Sequence, residues 1–156
     1  DPPYVGLLAA LDAVRTGEVF VLATGGITAT AAWGELCATA CLARGAVGAV
    51  IDGPLRDIDL LAALPFPVFG RGRLPADAHG RMRVARHGVP VTLGGVTIMP
   101  DDVIVGDADG IVVVPRDVAA QVLESAQQKG TKESLFREAV AGGLSPSEAF
   151  RRYGVL

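Results

Sequence analysis

The stretch from Gly25 to Asp59, GGITATAAWGELCATACLARGAVGAVIDGPLRDID, constrains this chain more than any other. It reads as a Gly-rich turn, a helix, a second turn, a buried strand and a loop bearing both signs of charge. The strand runs into Asp52-Gly53-Pro54-Leu55-Arg56-Asp57, which sets a guanidinium beside a carboxylate at a strand's C-terminal end. In open α/β sheets, ligands sit in the crevice at that end. A site is therefore expected here, with the rest of the chain holding it.

The flanking sequence supplies the frame. Leu7, Leu8, Leu11 and Val14 fall at helical spacing and predict a helix over 4–15, closed by Thr16-Gly17. VFVLA at 19–23 predicts a short buried strand. The next helix is expected over 31–43, capped by Thr28 or Thr30, with Leu36, Ala40 and Ala43 on one face. A strand at 49–51 follows, then a helix over 58–64 and a strand at 68–69 entered between Pro65 and Pro67. Residues 70–88 are irregular and basic, with Arg71, Arg73, Arg81, Arg83 and Arg86 beside His79 and His87. They read either as a solvated loop or as a loop that draws in an anionic substrate.

Four short strands follow, at 90–93, 96–98, 103–105 and 111–114, with hairpin-type turns at Gly94-Gly95 and Asp109-Gly110. Helix is expected from Arg116 to near Gly130, and again over 132–141. Ser145-Pro146-Ser147-Glu148 opens a last helix, with Ser145 as N-cap, Pro146 in the first position and Glu148 completing a capping box. Alternating helix and strand, then a β meander, then helices make a mixed α/β architecture rather than a doubly wound one. A chain of 156 residues is expected to form one domain. Half its residues are apolar and 5% aromatic, so the core is built of Val, Leu, Ile and Ala.

A net charge of −3 argues against nucleic acid as the main partner, because phosphate binding needs a basic face. No apolar run approaches the roughly 20 residues that span a bilayer. Cys37 and Cys41, four apart on one predicted helix, lack His or Cys partners at zinc spacing. They read as small apolar side chains, and reduced thiols fit a cytoplasmic protein. No Walker A, Gly-x-Gly-x-x-Gly or Gly-x-Ser-x-Gly pattern is present.

Two pieces of the central stretch carry chemistry. Arg56-Asp57 reads either as a strand-end pair capping helix ends, with Asp57 as N-cap of the helix at Ile58, or as a working pair. In the second reading Arg56 binds a carboxylate or keto oxygen and Asp57 holds Mg²⁺ or Mn²⁺, which suit carboxylates and keep several waters. Gly34-Glu35-Leu36-Cys37, as a first helical turn, offers free backbone N–H groups to an anion. Glu35 then either faces the same pocket or is an exposed first-turn acid favouring the helix dipole.

These runs resemble the RraA-like family, which includes the 4-hydroxy-4-methyl-2-oxoglutarate aldolases that also decarboxylate oxaloacetate. Residues 36 to 55 separate Glu35 from Arg56-Asp57, matching that family's spacing of an acid, twenty residues and Arg-Asp. The aldolases often have Asp where Glu35 stands. Pro90-Val91-Thr92-Leu93-Gly94-Gly95-Val96-Thr97 and Asp107-Ala108-Asp109-Gly110-Ile111-Val112-Val113-Val114-Pro115 extend the resemblance over nearly the whole chain.

The resemblance implies a swivelling β/β/α domain, with mixed sheets and flanking helices. Residues 1–156 would form a single domain lacking an N-terminal segment, with 116–156 as a C-terminal helical extension. It implies a homotrimer or homohexamer with sites between subunits. Asp57 would be the protein ligand for Mg²⁺ or Mn²⁺. Arg56 would hold the keto oxygen and the pyruvate enolate. Backbone N–H groups of Gly34, Glu35, Leu36 and Cys37 would bind the pyruvate carboxylate. Glu35 would hold metal-bound water, and Glu133 of a neighbouring subunit would complete the site. The implied reaction is a class II retro-aldol cleavage of a 4-hydroxy-2-oxo acid, with oxaloacetate losing CO₂ through the same enolate. The alternative is a regulator that binds a ribonuclease. Such regulators lack the Asp of Arg-Asp, which is present here as Asp57.

Overall fold

The computed structural model describes residues 4–156, which divide into two compact units on either side of the Pro100–Asp101 bond. The first unit carries a parallel sheet. Strands β1 (Val19–Leu22), β2 (Gly48–Ile51) and β3 (Val68–Phe69) lie in the order β1-β2-β3. Val19 pairs with Gly48 and Ala49 with Val68. Parallel neighbours need a crossover between them, and helices α2 (Glu35–Ala43) and α3 (Ile58–Ala63) lie in those two connections. The middle strand is buried along its whole length, which is why GAVI shows no alternation.

Helix α1 (Val5–Asp12) precedes β1, and a hairpin of β4 (Val91–Leu93) and β5 (Val96–Ile98) ends the unit. The core joins Leu11 and Val14, Ala38 and Cys41 of α2, Ala49 and Ile51 of β2, and Trp33, Leu55, Leu61 and Phe66. The rings of Phe20 and Trp33 lie 5.0 Å apart. Burying a side chain the size of Ile51 stabilises the fold by about 1.5–3 kcal/mol.

The expected helix over 31–43 begins four residues later. Residues 31–33 stay extended because they pair with neighbours: Ala32 N–H donates to Pro54 O, and Arg56 N–H donates to Trp33 O. Gly34, not a threonine, is the N-cap. The Thr30 hydroxyl instead donates to the carbonyls of Ala76 and Asp77. The buried face also differs from the expected one. Ala38 and Cys41 are buried, whereas Leu36 is 73% exposed.

The second unit, Asp101–Leu156, opens with a hairpin of β6 (Val103–Gly106) and β7 (Ile111–Val114). A 3-10 turn at Arg116–Val118 leads into α4 (Ala119–Ala141), and α5 (Pro146–Tyr153) follows. The expected break near Gly130 is absent. One 23-residue helix runs through it, because a lone glycine weakens a helix by about 1 kcal/mol without stopping it. Ser145 caps α5 as expected, its hydroxyl accepting from Glu148 N–H at 3.2 Å. The Glu148 carboxylate pairs with Arg151.

Candidate active site

Beyond the C-terminal end of β2 the chain keeps pairing without forming regular strands. Trp33 bridges Leu55, Leu55 bridges Arg73, and Ala31 bridges Asp77. Three extended segments, 31–33, 54–56 and 71–77, thereby run together. They deliver the start of α2 and the Arg56-Asp57 pair to one place.

The Glu35 N–H donates to Asp57 Oδ2 at 3.2 Å. Asp57 occupies the N-cap position of α3, but its side chain makes no capping bond there and turns to the first turn of α2 instead. Its backbone is left-handed, at φ 57° and ψ 40°, a conformation that Asp tolerates better than most residues. The N-cap reading of Asp57 is thus met in position and not in bonding. Arg56 Nε lies 4.0 Å from Asp57 Oδ2, and Arg56 Nη1 lies 3.2 Å from Asp77 Oδ2. Arg56 and Asp57 are each about one-third exposed, so a small molecule can reach both.

Gly34 is demanded by space. A Cβ there would stand 2.5 Å from Asp57 Oδ2 and 3.0 Å from Arg56 Cγ and Nε. Of the donors in this first turn, Glu35 N–H is taken by Asp57, while those of Leu36 and Cys37 have no partner within the helix, as in any first helical turn, and are of the kind that binds anions. The Glu35 carboxylate accepts from the Thr39 hydroxyl at 2.6 Å, back along its own helix. Burial pushes the Cys37 thiol up, with a backbone hydrogen bond of Gly34 acting against it. Both cysteines are free thiols.

Glu133 belongs to α4 in the second unit, where it pairs with Lys129 at 3.5 Å. Arg71 of the basic loop pairs with the buried Asp52 at 2.9 Å, and Asp52 also accepts from Gly26 N–H. Sequence reasoning missed Asp77 and Tyr4. The Tyr4 hydroxyl donates to Asp77 Oδ1 at 2.6 Å across 73 positions of sequence. No local pattern signals such a contact.

Among the described residues, no group of three or more His, Cys, Asp and Glu side chains is placed to hold a metal ion. The donor at this site is the Asp57 carboxylate, kept clear of any side chain at position 34. A single hard oxygen ligand suits Mg²⁺ or Mn²⁺, which complete their shells with water and substrate oxygens. In chemical type, Asp57 therefore fits such an ion. Among the described residues, no helix is long and apolar enough to cross a membrane.

A family model described as RraA-like, Aldolase/RraA, matches residues 3–113. The chain belongs to the RraA-like family. A Halalkalibacterium halodurans protein provisionally named 4-hydroxy-4-methyl-2-oxoglutarate aldolase is 33% identical over 94% of this RraA-like chain and 69% of its own length. Among solved structures, an uncharacterized protein from Pseudomonas syringae pv. tomato superposes with a TM-score of 0.87 at 35% identity, covering 93% of this chain and 68% of that one. Streptomyces coelicolor RraAS2, described as an unusual member of the RNase ES inhibitor RraA protein family, gives 0.79 at 31% identity, over 86% and 70%. The chain spans about two thirds of each of these proteins. It spans 54% of a Methanocaldococcus jannaschii relative that is 36% identical over 73% of this chain. The expected α/β fold of RraA type is borne out by these structural neighbours.

Proposed function

We propose that this protein is a carbon–carbon lyase that cleaves a 4-hydroxy-2-oxo acid of the 4-hydroxy-4-methyl-2-oxoglutarate type to pyruvate and a second oxo acid, and that it decarboxylates oxaloacetate. One observation carries the reading: the first turn of α2 meets Arg56-Asp57, with Glu35 N–H on Asp57 Oδ2 at 3.2 Å. An anion site, a guanidinium and a carboxylate then face one small molecule. The names of the relatives support the same class of reaction.

The substrate carboxylate binds the N–H groups of Leu36 and Cys37, where the helix dipole favours negative charge. The Arg56 guanidinium holds the 2-oxo oxygen and stabilises the negative charge that gathers there as the C3–C4 bond breaks. Glu35, half-buried beside this turn, orients the water that takes the 4-hydroxyl proton and then returns a proton to C3 of the enolate, which completes pyruvate. Asp57 would hold a divalent cation, which would supply Lewis-acid polarisation of the 2-oxo group. In the proposed assembly, a trimer or hexamer, Glu133 of a neighbouring subunit adds an acid to the site.

The test is pyruvate release from oxaloacetate and from 4-hydroxy-4-methyl-2-oxoglutarate, with Mg²⁺ and then with EDTA. Turnover that needs Mg²⁺ and disappears in Asp57→Asn is expected. Asn suits that variant because it keeps the shape and tolerates the left-handed backbone. Silence towards both substrates, from folded protein, would sink the reading. The likeness to RraAS2 supports a second one, a ribonuclease-binding regulator. Under that reading a purified ribonuclease E-type enzyme slows in the presence of the protein, and Asp57→Asn makes no difference.

A further inference from the structure

An arginine that stabilises a developing oxyanion must be aimed before the reaction begins, because a guanidinium that swings into place returns much of the gain. Arg56 has a flexible stem and is about one-third exposed, so something must hold it. Asp57 does so poorly, with its oxygen 4.0 Å from Nε, beyond hydrogen-bond range. Asp77 stands closer, in an ion pair with Oδ2 3.2 Å from Nη1.

We propose that Asp77 is the positioning residue for Arg56, and that Tyr4 and His79 hold Asp77 in the orientation this requires. The proposal rests on the lyase reading for its consequence, and on geometry alone for its structure.

Asp77 is fixed from several sides. Its Oδ1 accepts from the Tyr4 hydroxyl at 2.6 Å and from the His79 backbone N–H at 2.7 Å. That leaves Oδ2 to face Arg56. Its backbone is pinned as well, since the carbonyl accepts from Thr30 Oγ1 at 2.7 Å and from Arg81 Nη1 at 2.8 Å. Tyr4 is brought into reach by a close packing of α1. A Cβ on Gly6 would lie 2.1 Å from the Val84 carbonyl oxygen, so only glycine lets the helix start settle against that loop. The Tyr4 and His79 rings then lie 5.6 Å apart. The Tyr4–Asp77 hydrogen bond lowers the Asp77 carboxyl, chiefly through the Tyr4 hydroxyl, and raises the Tyr4 phenol, chiefly through Asp77. Asp77 therefore stays charged opposite Arg56. An anchor apart from Asp57 also has a purpose. Arg56 and a divalent cation on Asp57 repel, and a guanidinium leaning on Asp57 alone would be displaced as the ion arrived.

The experiment has two arms. The first reads Arg56 directly in metal-free protein, as its rate of labelling by phenylglyoxal in peptide mass spectra, with Arg44 as the internal reference. Asp77→Asn is expected to raise Arg56 labelling several-fold and to leave Arg44 unchanged. Tyr4→Phe is expected to raise it less, and takes over the decision if Asp77→Asn does not fold. The second arm is a cycle of Asp77→Asn with Arg56→Ala, read as pyruvate release from oxaloacetate. Asp77→Asn alone is expected to lower kcat roughly 10-fold or more with a smaller change in KM. In the Arg56→Ala background it should do nothing further. Unchanged Arg56 labelling in a folded variant overturns the proposal, as does an undiminished loss in the Arg56→Ala background. If wild-type protein releases no pyruvate, the lyase reading fails and the labelling arm alone decides whether Asp77 positions Arg56.

Discussion

A methyl group on Gly34 would stand 2.5 Å from Asp57 Oδ2 and 3.0 Å from Arg56 Cγ and Nε. The Gly34 backbone is extended, at φ −148°, so any residue could adopt it and the constraint is purely one of room. The atoms in the way belong to two side chains that can move. Gly34→Ala should therefore fold, with a Tm within about 2–4 °C of wild type. Displacing the carboxylate and guanidinium by even an ångström should still cut pyruvate release by about 100-fold. Steady-state kinetics beside a thermal melt checks this, and wild-type turnover would mean that the pair does not act. The same helix carries a pH effect. Burial, then Cys37, pushes the Cys41 thiol from 9.0 to about 12. A raised folded value favours the protonated thiol, so its contribution is whole below the unfolded value and lost between the two. Stability should fall above pH 9, by up to about 1.4 kcal/mol per pH unit from this group. Urea midpoints at pH 8 and 10 should diverge less in Cys41→Ala than in wild type. Glu35, Arg56 and Asp57 were legible as a spacing because one helix and one strand end carry them. Asp77 and Tyr4 were not, because the Ala31–Asp77 bridge and the packing of Gly6 on Val84 exist only in three dimensions.

The elements themselves were legible wherever hydrophobic runs had no competitor. β1, β2 and both hairpins fall where Val-rich segments and Gly turns put them. The start of α2 was misread because Ala31 and Ala32 are strong helix formers locally. With Trp33, they are captured by hydrogen bonds to Pro54 and Arg56, and tertiary pairing overrides propensity. Gly130 shows the reverse case. A glycine that reads as a stop lies inside α4, and a Cβ there meets nothing within 4 Å. Gly130→Ala should therefore stabilise the helix by about 0.5–1 kcal/mol, by removing backbone freedom from the unfolded chain. A higher urea midpoint with unchanged slope would show it. A lower one would mean that another surface packs against the helix at this point.

The second unit leaves much apolar surface in the open. No residue of α4 is buried, and Val105, Val112, Leu123 and Leu135 are exposed. Large apolar side chains left in the open on both the hairpin and α4 accord with the proposed trimer or hexamer, in which a neighbouring subunit would cover them. It also gives Glu133 a proposed role that no single chain need fulfil. Suppose that Asp57 of one subunit and Glu133 of another serve one site. Asp57→Asn and Glu133→Gln proteins would each be nearly inactive alone, yet unfolding and refolding them together would rebuild working sites. With random assembly, roughly a quarter of the sites would combine an intact Asp57 with an intact Glu133, and about that share of wild-type turnover should return. If both residues served a site within one chain, mixing would restore nothing, because every chain carries one lesion. Light scattering on the refolded mixture must show the oligomer for either result to count. Recovery in an oligomeric mixture would assign the site to the subunit boundary, whereas none would rule that shared site out.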